Sequence, residues 1–525
     1  MAYDIVIKNG TIIDGSGKPR FEGDIGIQGV KIKEVGKIDE KGAKRVIEAF
    51  GLFVTPGFID ITNHSDSSGS LFDDPQQAAC LTQGVTTILV GNCGVSLAPL
   101  ASSEAIKAVG KWQDVSKMNI NWASFGEFLD ELSRHQFGVN VASLVGHNTL
   151  RRGVIGSEIR PLTIEELSEI QYLIEKSIGE GAFGLSTSLS NAHEQVATSD
   201  EIIAMAKVVS RFGGVYKTHL RNESRELLSS INEAILIGRE ARVPVIISHM
   251  KAIGRKSWPF FLQAIKMIEN ARKTDGVKIS FDLFPYARTG SFLYFVLPSW
   301  AREGGFEEMF KRFRDLETRK KILDYLKPET FHFDKITIAS AENKSLNGKT
   351  LEEIANVLNQ PVEEIMLDIV LASHGKATIL GRTLSFKNIL LGIAAPFSII
   401  ASDGNSVSEE FIKSGKLAHP RGYGAFTHFL HRFVAEKGIA TWEEGIKKIT
   451  SLPAEAVGIK ERGLIKSGYH ADIAIFDPKT IHDHATYQSP FVTSKGVSWV
   501  IVNGVVAVEN GAVTSVKNGN ALRKA

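Results

Sequence analysis

Short apolar runs alternate with helical stretches through the middle of the chain. Eight of these runs have the length and the Val and Ile content of buried strands, and they span residues 58–64, 85–93, 139–147, 182–189, 215–219, 245–249, 277–282 and 397–403. Parallel strands that alternate with helices pack into α/β folds, and eight such units close into a barrel. The pattern therefore predicts a (β/α)8 TIM-like barrel.

The seventh and eighth runs lie much farther apart than the others. About 110 residues separate them, against roughly 30 in a typical repeat. The spacing predicts an insertion into the barrel at about residues 291–385. This insertion is placed either to cover the mouth of the barrel or to make a contact between subunits.

At the two ends of the chain, apolar and polar side chains alternate with a period of two residues. Residues 3–46 alternate apolar and polar side chains around the hairpin signal Asn9-Gly10, and the same texture returns at 471–476 and 497–511. This alternation is typical of antiparallel strands with one buried face. It predicts a small β-sandwich domain built from residues 1–55 and 463–525, flanking a catalytic barrel at 56–462.

Composition narrows the class of function. The net charge of +2 shows no excess that would suit nucleic acid or an anionic membrane surface, and the apolar runs are too short to span a membrane. Cys80 and Cys93 cannot build a disulfide framework, and the opening residues lack the pattern of a secretion signal. We therefore expect a cytoplasmic protein that acts on a small molecule.

Residues with metal-binding and acid-base side chains gather at the ends of the predicted strands. In this kind of barrel the carboxyl ends of the strands form the functional face, and here they carry His64, Cys93, His147, Ser186, His219, His249, Asp282 and Asp403. Gly91 and Gly94 let the backbone bend around Cys93 and bring its thiolate towards a metal. One thiolate, two imidazoles and an open position describe a catalytic zinc site. Cys93, His219 and His249 are therefore predicted to hold zinc.

The same face offers a base and groups that bind a substrate. Asp403 is predicted as the general base, which takes a proton from water and returns it to the leaving nitrogen. Lys251, Tyr286 and Arg421 are predicted to anchor the substrate, and the Arg421 fork suits a carboxylate. Each residue also has a structural alternative: Asp403 as a turn cap, the histidines as hydrogen-bonded strand ends, and the anchors as surface or interdomain contacts.

Many short motifs occur in one fixed order along the chain. They are PGFID at 56–60, VGNCG at 90–94, GHNTLR at 146–151, GLSTSL at 184–189, YKTHLRNE at 216–223, ISHMK at 247–251, FPYA at 284–287, LPSW at 297–300, ASDG at 401–404, HPRGYG at 419–424, TSLPAEAVG at 450–458 and HADIAIFD at 470–477. With these motifs the chain resembles the amidohydrolase superfamily and, within it, the D-aminoacylases (N-acyl-D-amino-acid deacylases) along nearly its whole length.

The resemblance implies a zinc ion on Cys93, His219 and His249, with His64 at a second, weaker metal position. It also implies Asp403 as the base and Lys251, Tyr286 and Arg421 as partners of the substrate carboxylate; Ser291, Asn191 and His147 complete the predicted substrate-binding set. The sequence departs from the family in two places. Thr62 replaces the first histidine of a His-x-His pair, and Asn191 stands where many relatives have a substrate-binding tyrosine. We therefore expect one tightly bound zinc ion, with the second weak or absent.

Three functions are compatible with these residues. The favoured one is hydrolysis of a linear amide, with an N-acyl-D-amino acid or a related N-acyl carboxylate as the small-molecule substrate. Cyclic-amide hydrolases of the hydantoinase or dihydroorotase type share the barrel but commonly use a bridging carboxylated lysine, and a cysteine in that place argues against them. A non-catalytic, degenerate barrel is the third, and the retention of Cys93, His219, His249 and Asp403 argues against it.

Overall fold

The computed structural model describes residues 3–110, 118–327 and 333–524. The chain begins with five strands, β1 (Ile5–Ile12), β2 (Phe21–Gln28), β3 (Lys31–Gly36), β4 (Arg45–Glu48) and β5 (Phe53–Pro56). β1 pairs antiparallel with β2, and β4 and β5 lie parallel to β1. Side chains at alternate positions, such as Ile5 and Ile7, enter one hydrophobic cluster.

The predicted hairpin at Asn9 and Gly10 is wrong. β1 continues through both residues, and its register against β2 shifts between Ile7 and Gly10. Asn9 has the positive φ, 57°, that a tight hairpin turn requires. The strand absorbs this conformation as a bulge instead of reversing direction.

Each of the eight apolar runs in the middle of the chain contains a barrel strand. The first seven give β6 (Phe58–Asp60), β7 (Val85–Val90), β8 (Asn140–Ser143) with β9 (Val145–Gly146), β10 (Gly184–Ser188), β11 (Val215–His219), β12 (Val245–Ile247) and β13 (Ile279–Leu283). Neighbouring strands pair in parallel. The third run is divided, because β8 pairs with β7 whereas β9 pairs with β10.

Helices connect the barrel strands and pack against them. Their bounds are Ser70–Asp73, Ala78–Leu81, Phe125–Arg134, His147–Ile155, Ile164–Gly179, Ala192–Gln195, Ser199–Arg211, Leu227–Ala241, Phe260–Thr274, Phe386–Ala394, Glu409–Lys413, Arg421–His428, Trp442–Ile449 and Ser451–Val457, with a 3-10 turn at Ala105–Ala108 and a π-helix at Phe429–Glu436. Local signals define several starts: Thr163 and Glu166 form a capping box at Ile164–Gly179. Among the described residues, no helix is long and apolar enough to cross a membrane.

The stretch between the seventh and eighth barrel strands has a sheet and a core of its own. Its strands β14 (Thr289–Phe292), β15 (Ile336–Ser340) and β16 (Thr378–Gly381) are antiparallel, with β16 in the middle. Its helices are Ser299–Arg302, Gly305–Arg314, Leu316–Leu326, Leu351–Leu358 and Val362–Ala372, with 3-10 turns at Leu293–Val296, Phe333–Lys335 and Lys344–Leu346. The side chains of Met309, Phe313 and Ile365 belong to a separate hydrophobic cluster.

The C-terminal part closes the barrel and completes the first sheet. β17 (Ser398–Ile400) pairs with β13, and a parallel bridge from Asn63 to Gly404 joins the last barrel strand to the first. β18 (Ile473–Phe476) then pairs antiparallel with β5, followed by β19 (Val497–Val502), β20 (Val505–Glu509) and β21 (Ala512–Val513). Strands from both ends of the chain thus form one nine-stranded sheet.

Candidate active site

Three strand ends bring Cys93, His219 and His249 together. The ligand atoms of these residues, called the ligand triad below, lie within 4.8 Å of one another. Cys93 Sγ is 3.4 Å from His249 Nε2, and the two imidazole centroids are 4.5 Å apart. Ligand atoms held about 2 Å from one tetrahedral zinc ion lie roughly 3.5 Å from each other. The triad therefore fits a single ion.

The backbone is strained at this site. Cys93 has φ of 53°, His249 of 35° and Asp403 of 50°, in the left-handed region that costs a residue with a side chain about 1–2 kcal/mol. Such conformations persist only where the surroundings impose them. Next to Cys93, a Cβ on Gly94 would lie 2.4 Å from Glu194 Oε2. The close approach of this carboxylate, together with a φ of 75° at position 94, leaves room only for glycine next to Cys93.

The surroundings of Cys93 favour its thiolate. Burial raises the pKa of the thiol, but the charge of His249 and hydrogen bonds with His219, His249 and His64 outweigh burial and hold that pKa well below its usual value. The thiolate is the form that binds a metal ion. The chemistry of the donor set, one thiolate with two imidazoles, is that of a zinc site with an open fourth position.

Asp403 lies between His64 and Arg421. Asp403 Oδ1 is 3.1 Å from His64 Nε2, and Oδ2 is 2.6 Å from Arg421 Nη1. Burial raises the pKa of Asp403, yet the charges of Arg421 and His249 lower it well below its usual range. Burial lowers the pKa of His64, whereas hydrogen bonds with Asp403 and Cys93 raise it to about 10. Asp403 is therefore held as a carboxylate, the form that accepts a proton.

Glu223 faces both imidazoles of the triad from behind. Its Oε1 lies 3.2 Å from His249 Nδ1, and its Oε2 lies 3.4 Å from His219 Nε2. Lys251 Nζ donates to Glu223 Oε1 at 2.6 Å. Burial raises the pKa of Glu223, but the charges of His219 and Lys251 outweigh burial and lower it. A carboxylate in this position orients imidazole rings that bind a metal.

A cavity of about 420 Å³ opens over the triad. Four predicted substrate-binding residues, Lys251, Arg421, Asn191 and Ser291, line it together with His64 and Asp403. The insertion contributes Phe295, Leu297, Pro298, Trp300, Arg302 and Tyr325 to the wall. The structure therefore brings Lys251, Arg421, the triad and Asp403 to one cavity that is large enough for a small amide.

The structure places two other predicted substrate-binding residues outside the cavity wall. His147 is fully buried, with Nδ1 3.3 Å from Glu194 and Nε2 3.4 Å from Glu201. It begins the helix after β9, so its ring turns into the barrel wall. Tyr286 stacks on His428 with centroids 4.5 Å apart, and its buried hydroxyl lacks a hydrogen-bond partner among the described residues.

Sequence reasoning missed several charged residues at the site. Glu223 is one; its signal was a position four residues after His219, in the motif YKTHLRNE. Lys217 and Asp282 form an ion pair of 3.0 Å between two side chains without solvent exposure. Asp282 lies at the end of a predicted strand and was among the residues noted there. Lys217 lies inside a predicted strand, and nothing in the sequence indicates that a lysine at such a position is buried.

Comparisons with known proteins agree with these observations. Residues 45–217 and 418–508 match the model of an amidohydrolase family. The chain is 30% identical to a D-aminoacylase of Alcaligenes xylosoxydans xylosoxydans, over 99% of this chain and 98% of the relative. It is also 30% identical to an N-acyl-D-aspartate deacylase of the same organism, over 95% of this chain and 91% of the relative.

Solved structures give the same result. One match is a D-aminoacylase, with a TM-score of 0.84 and 29% identity over 99% of this chain and 100% of its own. That structure addresses the role of the binuclear metal centre of the relative, with one-metal activation and second-metal attenuation. Another match is an N-acyl-D-glutamate deacylase from Bordetella bronchiseptica, with a TM-score of 0.84 and 27% identity over the full length of both chains. That structure is a complex with zinc and a phosphonate mimic of the tetrahedral intermediate.

These matches confirm the predicted fold class and the prediction of an amidohydrolase enzyme. An L-hydantoinase from Arthrobacter aurescens, with a TM-score of 0.57 and 15% identity, shares the fold alone. The motifs, the barrel and the similarity over nearly the whole chain lead to the same assignment. The chain belongs to the amidohydrolase family and, within it, to the D-aminoacylases.

Proposed function

We propose that this enzyme removes the acyl group from an N-acyl-D-amino acid or a related N-acyl carboxylate, with one tightly bound zinc ion on the ligand triad. The carrying observation is the juxtaposition of the triad with Asp403, which is held as a carboxylate by Arg421 at 2.6 Å. The activities of the relatives support this substrate class: they include a D-aminoacylase and deacylases of N-acyl-D-aspartate and N-acyl-D-glutamate.

The residues divide the reaction between them. Cys93, His219 and His249 would hold the zinc ion, which would supply Lewis acidity to polarise the amide carbonyl and lower the pKa of water. Asp403 accepts the proton of the attacking water at Oδ1 or Oδ2 and returns it to the leaving nitrogen. His64, 3.1 Å from Oδ1, orients the carboxylate. Glu223 orients the imidazoles of the triad from behind.

Lys251 and Arg421 are the proposed partners of the substrate carboxylate. Both line the cavity. The Arg421 guanidinium lies over the Phe284 ring, with Cζ 4.6 Å from its centroid, and offers one arm to Asp403 while its other N–H groups remain for a carboxylate. The insertion contributes the apolar side chains of Phe295, Leu297 and Trp300 to the wall of the same cavity.

We also propose the two-domain division derived from the sequence, with residues 1–55 and 463–525 in one domain and a barrel at 56–462 with an insertion at about 291–385. Its support is the nine-stranded sheet shared by the chain ends and the separate hydrophobic cluster of the insertion.

A hydrolysis screen tests the function. N-acetyl and N-formyl derivatives of D- and L-amino acids are offered to the purified enzyme, with hydantoins as cyclic-amide controls and zinc measured on the same sample. We expect free D-amino acid to appear, and we expect Asp403→Asn, which keeps the size of the side chain, to slow its release by about 100-fold or more. Ring opening of hydantoins without deacylation would refute the proposal.

A further inference from the structure

A buried polar cluster lies directly beneath the ligand triad. It consists of Thr62, Lys217, Ser248 and Asp282, called the buried cluster below. The ammonium group of Lys217 donates to Thr62 Oγ1 at 2.7 Å and to Ser248 Oγ at 2.9 Å, and it lies 3.0 Å from Asp282 Oδ2. Its three N–H groups thus have three acceptors in a place without solvent.

The position of the cluster follows from the alternation of side chains along strands. Lys217 is two residues before His219 in β11, so the two side chains point to the same side of that strand. Thr62, which follows β6, meets Lys217 on this side through their hydrogen bond. The cluster therefore fills the layer of the barrel interior below the ligands. Apolar branched side chains usually fill such layers, so an ion pair here requires an explanation other than packing.

A direct hydrogen bond connects the buried cluster to the triad. Asp282 Oδ1 accepts the backbone N–H of His249 at 2.7 Å. His249 has φ of 35°, a conformation that the surroundings must impose. Asp282 Oδ2 accepts the Thr62 hydroxyl at 2.8 Å. The orientation of the His249 peptide therefore depends on a carboxylate whose other oxygen is held by Thr62 and Lys217.

Thr62 completes this network. Its hydroxyl accepts one hydrogen bond from Lys217 and donates one to Asp282. Without that hydroxyl, both charged groups lose a partner where water cannot replace it. Buried ion pairs add little net stability compared with apolar packing, and their best-supported role is to fix one arrangement.

We propose that the buried cluster is a positioning device for metal binding: it holds the His249 peptide so that the triad presents its imidazole to one ion, with Thr62 as a positioning residue rather than a ligand. The inference rests on the proposed function, because it takes the triad as the metal site. It assigns to Thr62 a role that does not require Thr62 to bind the metal.

The test compares the zinc affinity of three purified variants with that of the wild type, by competition with a chromophoric chelator. Thr62→Val keeps the shape of the side chain and removes the hydroxyl, and we expect zinc to bind about 10-fold to 100-fold more weakly, the effect of removing a group that orients a ligand. Thr62→Ser restores the hydroxyl and is expected to restore the affinity.

Thr55→Val is the matched control. Thr55 is also fully buried, and its hydroxyl donates to Ala474 O at 3.2 Å in the sheet of the chain ends. We expect this variant to lose thermal stability but not zinc affinity. The melting temperature of each metal-free variant separates general destabilisation from loss of the site.

If Thr62→Val does not fold, Ser248→Ala, which removes a single acceptor of Lys217, gives the same comparison. Zinc affinity of Thr62→Val equal to that of the wild type would refute this inference and leave the proposed function intact. A wild type that binds no zinc would refute the proposed function, and this inference with it.

Discussion

Replacement of Arg421 by alanine separates two roles of one guanidinium. Arg421 lies 2.6 Å from Asp403, with side-chain exposures of 11% and 10%. A hydrogen bond with a charged partner contributes about 1.5–3 kcal/mol. Loss of one such bond to the substrate carboxylate should lower kcat/KM by roughly 10-fold to 150-fold for carboxylate substrates. Loss of the counter-charge on Asp403 should lower turnover of every substrate by a common factor.

The assay measures kcat/KM for an N-acyl-D-amino acid and for its carboxamide, with wild type, Arg421→Ala and Arg421→Lys. The ratio between the two substrates cancels the common factor and leaves the carboxylate contact. We expect this ratio to fall for Arg421→Ala and to fall less for Arg421→Lys, which keeps the charge but loses the planar fork. Equal losses on both substrates would show that Arg421 acts only through Asp403, and would refute its role as an anchor.

Further predictions follow from the same geometry. Cys93→Ala, His219→Ala and His249→Ala should each lose both zinc and turnover, and full zinc retention in two of them would refute the metal site. Asp403→Asn should keep zinc and the fold but lower kcat by about 100-fold or more; a variant within a few-fold of wild type would require another base. Because Arg421 lowers the pKa of Asp403, and only the carboxylate accepts a proton, Arg421→Ala should move the acid limb of the kcat/KM profile to higher pH. Elemental analysis after mild dialysis should give one zinc ion per chain, and two would refute a single tight site.

The barrel was accessible from the sequence because buried parallel strands are continuous apolar runs. Each predicted run contains a strand, and the runs at 215–219 and 245–249 bring His219 and His249 to one site. The break between β8 and β9 could not be predicted from the sequence, because it depends on the neighbouring strand with which each half pairs. His147, the last residue of the predicted third run, begins a helix instead, and its buried ring lies beside Glu194.

The charged residues inside the barrel were not predicted from the sequence. A lysine in a strand pattern is usually taken for a solvent-facing residue, and only the folded barrel shows that Lys217 meets Asp282, Thr62 and Ser248. At Asn9 the sequence predicted a chain reversal that does not occur. Its positive φ is a property of the residue, but whether the chain reverses there depends on the pairing with β2.

The pairing of β5 with β18 has a consequence for biosynthesis. Thr55 and Ala474 are partners across this pair and lie 419 residues apart in the chain. A ribosome releases the N-terminal strands long before their C-terminal neighbours exist, so β5 leaves with one unpaired edge, and an unpaired edge is a template for association with other chains. Contacts between such distant residues also form slowly. Successful production of this protein should therefore depend on protection of β5 during translation, and chains that stop before residue 473 should aggregate even though every barrel strand is present.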